Sequence, residues 1–251
     1  IRARKVSDFY FVNQQGTANL AEAVKNHNPG LKKFVLISSL AAAGPASVTP
    51  RKESDPPHPI TDYGRSKLAG EEALRPYFNT FPITIIRPPA VYGPGDKAIL
   101  TIFQLVNRRL RAYMAGGNNR VQMVFVDDLV EGIIQGMDPA KGRNDTFFIA
   151  QTESNTVREM MDIIAELLNK KTVPLTVPMP LLKIIALISE SFFKMIGKAP
   201  LFSRQKVREL TADWAIDVSL AQEKLGFTAA HDFRTGARIT IDWYRREGWL
   251  K

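Results

Sequence analysis

Tyr63 and Lys67 stand four residues apart in the run Tyr63-Gly64-Arg65-Ser66-Lys67. On a helix, positions i and i+4 share a face, so the phenol and the ammonium point the same way. A cation beside a phenol favours the phenolate and lowers a pKa that is ordinarily about 10, which makes the phenol a usable general acid/base near neutrality. With six Tyr and sixteen Lys in 251 residues, chance supplies about 0.4 such pairs, so the spacing alone is a weak signal. Ser39 adds a second feature. It follows the short apolar run 34–37 and precedes Tyr63 by 24 residues. A hydroxyl at the C-terminal end of a parallel strand sits where open α/β sheets place their ligands. Ser39 would hold a substrate carbonyl or hydroxyl while Tyr63 moves its proton. Taken singly, Ser39 reads equally as a loop-capping hydroxyl and Lys67 as a solvated side chain; together they favour catalysis.

The flanking pattern predicts the elements that would carry these groups. Phe9, Val12, Leu20, Ala21 and Val24 recur at helical spacing over 8–25, and Asn28-Pro29-Gly30 breaks the chain. The runs 34–37 and 83–87 are continuous and apolar, as strands buried on both faces require. Between them lie a Pro- and Ser-rich surface loop over 44–59 and a helix over 63–77. Pro88-Pro89 stops the second strand before a turn-rich loop at 91–96. A basic helix over 100–110, strands at 121–126 and 146–150, and a helix beginning at Asp127-Asp128 come next. Thr156 and Glu159 form a capping box ahead of a helix over 157–168, and the chain beyond Pro178 reads as all-helical. Strands alternating with helices predict an α/β fold with a parallel sheet and a mostly helical C-terminal part.

Composition narrows the chemistry. With 45% hydrophobic and 24% charged residues the chain is not of a disordered or collagen-like class. It has no Cys, which excludes disulfides, thiolate metal sites and Cys nucleophiles. His27, His58 and His231 are isolated, so no metal is expected. The net charge of +9 suits an anionic ligand or a solvated basic surface. Arg108, Arg109 and Arg111 cluster on the expected basic helix, but no aromatic residues interleave them to stack bases, so no nucleic acid is expected. The most apolar segment, 179–196, is interrupted by Lys183, Glu190 and Lys194 and is a poor membrane span. It is expected to be a buried core helix; the alternatives are the wall of an apolar pocket or a surface resting on a membrane.

Several phrases, in order, resemble the extended short-chain dehydrogenase/reductases of the epimerase/dehydratase branch. Ser39, Tyr63 and Lys67 look like that family's catalytic triad. Asn13-Gln14-Gln15-Gly16-Thr17 is similar to the helix before its active-site strand, and Leu36-Ile37-Ser38-Ser39 to the strand itself. The run from Arg87 to Asp96 resembles its R-P-x-x-V-Y-G-P-G-D loop, Val126-Asp127-Asp128-Leu129 its V-D-D-L helix start, and Ala221 to Gly226 its A-x-x-x-L-G helix. The resemblance implies a Rossmann-like doubly wound parallel sheet. Residues 1–96 would be the C-terminal half of the dinucleotide-binding domain and 97–251 a largely helical substrate-binding part, whose strands near 121–126 and 146–150 return toward the sheet. It also implies NAD or NADP as cofactor, with Lys67 on the nicotinamide ribose and Pro89 and Val91 on the nicotinamide side. Asn13 matches a family Asn, while Val12 stands where some relatives have a polar cofactor contact.

One family feature is missing from the 16 glycines: none form the G-x-x-G-x-x-G loop that cradles the pyrophosphate, and Gly116-Gly117 opens no strand–turn–helix unit. The chain starts at Ile1, not Met, and resembles a family member without its first strands, so it is expected to bind cofactor poorly by itself. Two substrate branches compete. Arg120 stands eight residues before Asp128, with Val121 at the position of the sugar enzymes' diphosphate-gripping Arg, and Arg208 precedes Glu209 instead of Gly-Asp. These phrases look more like the 3β-hydroxysteroid dehydrogenase and dihydroflavonol reductase branch. The expectation is hydride transfer on a secondary alcohol or ketone of a small apolar substrate, with Arg120 and Arg208 as substrate contacts. The alternatives are a nucleotide-sugar epimerase or dehydratase using the same triad, and a degenerate binding module. A cytoplasmic homodimer with a small-molecule substrate and no integral membrane segment completes the expectation.

Overall fold

The computed structural model describes residues 5–196, 200 and 202–250; Ile1 to Arg4, which open the chain, lie outside them. Helix α1 (Val6–Tyr10) runs through a π-helical turn at Phe11–Gln15 into α2 (Gly16–His27). The expected helix therefore forms, but with one wide turn in its middle. Strand β1 (Phe34–Ile37) follows and ends in α3 (Leu40–Ala43), a single turn capped by Ser39. Helix α4 (Asp62–Glu72) starts at the Thr61 cap and closes in a short 3-10 turn at Arg75–Tyr77. Strand β2 (Ile83–Arg87) is buried along its whole length.

The turn-rich segment after β2 contains strand β3 (Ala90–Tyr92), which pairs in parallel with a strand downstream instead of remaining a loop. Helix α5 (Lys97–Asn107) starts earlier than the apolar pattern suggested. The Asp96 carboxylate accepts from the amides of Ala98 and Ile99, satisfying two donors of its first turn. It also ends sooner. Arg109 takes φ 64, which no helix accommodates, and the chain turns into β4 (Leu110–Met114). The basic helix over 100–110 is thereby corrected: Arg108 and Arg109 lie past the helix, while Arg111 is on a strand and pairs with Asp162.

Two short strands, β5 (Arg120–Val121) and β6 (Met123–Phe125), replace the expected continuous one. The buried Gln122 between them donates to the carbonyl of Gln151 (2.6 Å) and accepts from the amide of Ile216 (2.9 Å). Helix α6 (Val126–Gly136), β7 (Asp145–Phe148), β8 (Asn155–Thr156) and α7 (Val157–Leu167) follow, the last with the capping box between Thr156 and Glu159. Strand β9 (Val173–Val177) pairs in parallel with β4. It contains Pro174 and is largely exposed, so it carries no alternating signature in the sequence. Helices α8 (Met179–Met195), α9 (Arg204–Thr211), α10 (Ser219–Leu225) and α11 (Phe233–Arg246) complete the described chain.

The main sheet has the order β1-β2-β7 and is parallel throughout. Alternation along β2 sends Ile83 and Ile85 to one face, against Ala21, Leu74 and Phe81. Ile86 goes to the other face, against Val124, Phe147, Leu225 and Phe227. Helices thus cover both faces of the sheet, as a doubly wound α/β arrangement requires. A second core joins α5, α7 and α11 around Tyr92, Phe103, Phe125 and Tyr244.

The segment 179–196 is not a core helix. Leu182 and Ala186 are buried on one side of α8, but Leu181, Ile184, Ile185, Ile188 and Phe192 are exposed. Among the described residues no helix is long and apolar enough to cross a membrane.

Candidate active site

Ser39 lies just past the C-terminal end of β1 in extended conformation, and its hydroxyl accepts from the amide of Ala41 (3.2 Å). The amide of Leu40 donates to the carbonyl of Pro88 (2.8 Å), which lays this turn beside the segment holding Pro89 and Val91. Both are half-buried, Pro89 just past β2 and Val91 within β3. The loop-capping role and the site role of Ser39 therefore coexist in one side chain.

Tyr63 occupies the first turn of α4, where the Thr61 hydroxyl accepts from Gly64 (3.0 Å). Gly64 permits the contact that matters here: a Cβ at this position would fall onto the carbonyl oxygen of Ala41. Close approach of α3 and α4 brings the Ser39 hydroxyl near enough to the Tyr63 phenol to pull its pKa down. Phe9 packs edge-on against the Tyr63 ring at 5.8 Å, so α1 closes the other side.

Lys67 sits one turn further along α4, its ammonium 6.0 Å from the Tyr63 ring centroid. It donates to the carbonyl of Ile37 at the end of β1 (3.0 Å). The expectation that Lys67 lowers the Tyr63 pKa is not met in this arrangement. Burial pushes the phenol above its ordinary value, the Ser39 hydroxyl pulls it down, and the charge of Glu209 pushes it up again. The main reason is the burial of the ring. Burial also lowers the pKa of Lys67 itself, with Glu71 acting in the opposite direction.

Three groups that the motifs did not single out support this constellation. Glu71, one further turn along α4, accepts two hydrogen bonds from the Arg87 guanidinium (2.9 and 2.6 Å) and one from the hydroxyl of Ser38. All three residues are buried. The network joins β1, β2 and α4 directly beneath Ser39 and Lys67. A charged residue ending a fully buried strand must find a partner, and the 3.6-residue period puts Glu71 on the face of Lys67; those were the available signals. Helix α9 supplies the other neighbours. Gln205 accepts from the amide of Asp62 (3.2 Å) and donates to its carboxylate (2.9 Å), while Glu209 lies close enough to act on Tyr63. Nothing local in the sequence links 205–209 to 62–63.

Asn13 lies within the π-helical turn. Its side-chain amide donates to the hydroxyl of Ser66 on α4 (2.9 Å), which makes it a packing contact between the two helices. Arg208 is exposed on α9, next to Glu209. Arg120 is exposed on β5, and its guanidinium is held by the side chain (2.9 Å) and carbonyl (2.8 Å) of Ser154. Ser39, Tyr63 and Lys67 come together, and among the described residues no contact joins Arg208 or Arg120 to them.

The residues present fit the nicotinamide-ribose end of a dinucleotide. The half-buried Lys67 ammonium has three N–H donors and spends one on Ile37, which leaves two for a ligand. The phosphate-cradling glycine loop has no counterpart among the described residues.

Residues 2–150 match the NAD dependent epimerase/dehydratase family. The chain is 30% identical to the ceramide reductase of Caulobacter vibrioides over 252 residues, covering 100% of this chain and 73% of that protein. It is also 30% identical to the UDP-glucose 4-epimerase of Vibrio cholerae over 235 residues, covering 91% of this chain and 67% of the relative. Among solved structures, the UDP-glucose 4-epimerase of Thermotoga maritima with UDP-glucose superposes with a TM-score of 0.77 at 23% identity, covering 97% of this chain and 72% of that one. At that identity the likeness concerns the fold.

Proposed function

This chain belongs to the NAD dependent epimerase/dehydratase family, and on that premise we propose that it interconverts a secondary alcohol and a ketone on an apolar, lipid-like substrate. The observation that carries the proposal is the half-buried Tyr63 phenol close to Ser39, with Lys67 one turn away, at the C-terminal ends of β1 and β2. A bound NAD or NADP supplies the hydride donor or acceptor. Tyr63 gives the proton to the substrate oxygen in reduction and takes it in oxidation. Ser39 orients that oxygen and stabilises the phenolate with its hydroxyl proton. Lys67 holds the ribose hydroxyls, and Pro89 and Val91 line the nicotinamide side. Arg208, on the helix whose Gln205 holds Asp62, would contact the polar end of the substrate, as would Arg120.

Two observations support an apolar substrate. The Caulobacter relative is named a ceramide reductase and aligns along the whole chain. The apolar helix α8 is joined to the site through α9, by Arg204 to Glu190 (2.8 Å) and Gln205 to Asp62 (2.9 Å). A nucleotide-sugar 4-epimerase is the second reading, favoured by the equally similar Vibrio protein and by the exposed Arg208. The two differ in redox balance. A reductase consumes one reduced cofactor per turnover, whereas an epimerase leaves the cofactor pool unchanged. Incubating the full-length protein with NADH or NADPH and a ceramide-type or sterol ketone, and separately with UDP-glucose and NAD, distinguishes them. Stoichiometric cofactor oxidation with the ketone is expected; UDP-galactose formation without net cofactor change would replace the first reading by the second.

A further inference from the structure

Helix α8 exposes an apolar stripe that nothing in the described chain covers. Leu181, Ile184, Ile185, Ile188, Phe192 and Met195 fall within one third of the helix circumference, and Ile188, Phe192 and Met195 are 63%, 52% and 77% exposed. The opposite face is satisfied, since Leu182 and Ala186 pack on Val207 of α9. The strand leading into α8 adds the exposed Val173 and Leu175.

The charge around this stripe is one-sided. Residues 170–211 hold eight Lys and Arg against two Glu, within a chain whose net charge is +9. Both acids are already engaged, Glu190 by Arg204 (2.8 Å) and Glu209 by Lys206 (3.2 Å). Lys171, Lys183 and Arg208 are exposed with no acidic partner among the described residues. A second copy packed across this stripe would bring two such positive segments together, at a cost in like-charge repulsion. An acidic interface with apolar depth suits both features. We propose that α8 docks in the plane of an anionic lipid bilayer, its apolar stripe at the acyl boundary and the surplus positive charge of 170–211 attracted to the headgroup surface.

At 17 residues, with Lys183 and Glu190 inside it, α8 lies on such a surface and does not span it. The link from α8 through Arg204 and Gln205 to Asp62 then sets Tyr63 beside the lipid, so an acyl-bearing substrate reaches the site from the membrane. This last step rests on the reading of Tyr63 given above; the docking does not.

The test is co-sedimentation of the protein with vesicles of phosphatidylcholine alone and of phosphatidylcholine with roughly one third phosphatidylglycerol. Binding to the anionic vesicles, weakened by added salt and at least about tenfold weaker for pure phosphatidylcholine, is expected. The triple variant Ile184→Asp, Ile188→Asp, Phe192→Ser changes only exposed positions, and should lose at least about tenfold in binding with an unchanged circular dichroism spectrum. Should that variant fail to fold, Lys171→Glu with Lys183→Glu, which keeps the stripe, should abolish the preference for anionic vesicles. Wild type that stays in the supernatant, or variants that bind like wild type, would overturn the proposal. So would a dimer by light scattering that the triple variant turns into monomers while neither binds vesicles. Sedimentation is read without turnover, so it fails or succeeds independently of the assay for the reaction.

Discussion

The carboxylate of Glu71 and the guanidinium of Arg87 form a two-point pair, 2.9 and 2.6 Å long, with both side chains almost fully withdrawn from solvent. It locks the helix that carries Tyr63 and Lys67 onto the strand that leads to Pro89 and Val91. Ser38, which donates to the same carboxylate, adds the strand that leads to Ser39. The relative placement of the three candidate catalytic groups is thus tied to one buried ion pair.

Removing one partner of a buried pair leaves the other charge unsatisfied. Glu71→Ala is expected to cost about 3–5 kcal/mol of unfolding free energy, measured by urea denaturation. Glu71→Leu combined with Arg87→Met should recover most of that loss, because neither charge remains buried alone. A loss within about 1 kcal/mol for Glu71→Ala, the range of an exposed pair, would contradict this account.

Helix packing around the site relies on two glycines. A Cβ on Gly64 would fall onto the carbonyl oxygen of Ala41, and one on Gly70 onto that of Asn13, well inside contact distance. Each Gly→Ala change should destabilise by about 1–3 kcal/mol, since backbone must move to make room. Gly30→Ala, which meets nothing within 4 Å, serves as the control and should be close to neutral. Calorimetric melting of the three variants provides the comparison.

Burial raises the phenol pKa values of Tyr63, Tyr92 and Tyr244. In the unfolded chain these phenols ionise near a pH of about 10, so above that pH the unfolded state has released protons the folded state still holds. Stability contributed by these groups is present below that pH and is lost as pH rises beyond it. Urea midpoints recorded from neutral to strongly alkaline pH should fall in the upper range. Tyr92→Phe, which removes a buried ionisable phenol, should flatten the decline.

If Tyr63 transfers the proton, Tyr63→Phe should lower turnover by about 10²–10⁴-fold while leaving the melting temperature near that of wild type. Substantial residual turnover in a folded variant would remove Tyr63 from the mechanism.

The Ser39 hydroxyl pulls the Tyr63 pKa down. Ser39→Ala should therefore raise it, because the phenolate loses a donor. In the oxidative direction, where Tyr63 must accept a proton, the rising limb of the pH–rate profile should move to higher pH. An unmoved limb with a lower rate would leave Ser39 only its part in orienting substrate.

What the sequence by itself determined was local. The buried runs at 34–37 and 83–87, the Thr156–Glu159 cap, and the grouping of Tyr63 with Lys67 all follow from periods of two or 3.6 residues and from capping chemistry. Motifs in order carried the family and the parallel sheet. The pairing of β4 with β9 was hidden, because an exposed strand containing Pro174 has no periodic signature and its partner lies 63 residues upstream. The fate of α8 was hidden as well. Apolar composition says that a face seeks cover, and only the packing of its neighbours decides which face receives it. The direction of the Lys67 ammonium, the Glu71–Arg87 lock and the seat of α9 on Asp62 join positions 16 to 143 residues apart, where no short-range rule operates. The residue types set which chemistry was available; the tertiary structure decided that burial, the Ser39 hydroxyl and the Glu209 charge act on the phenol.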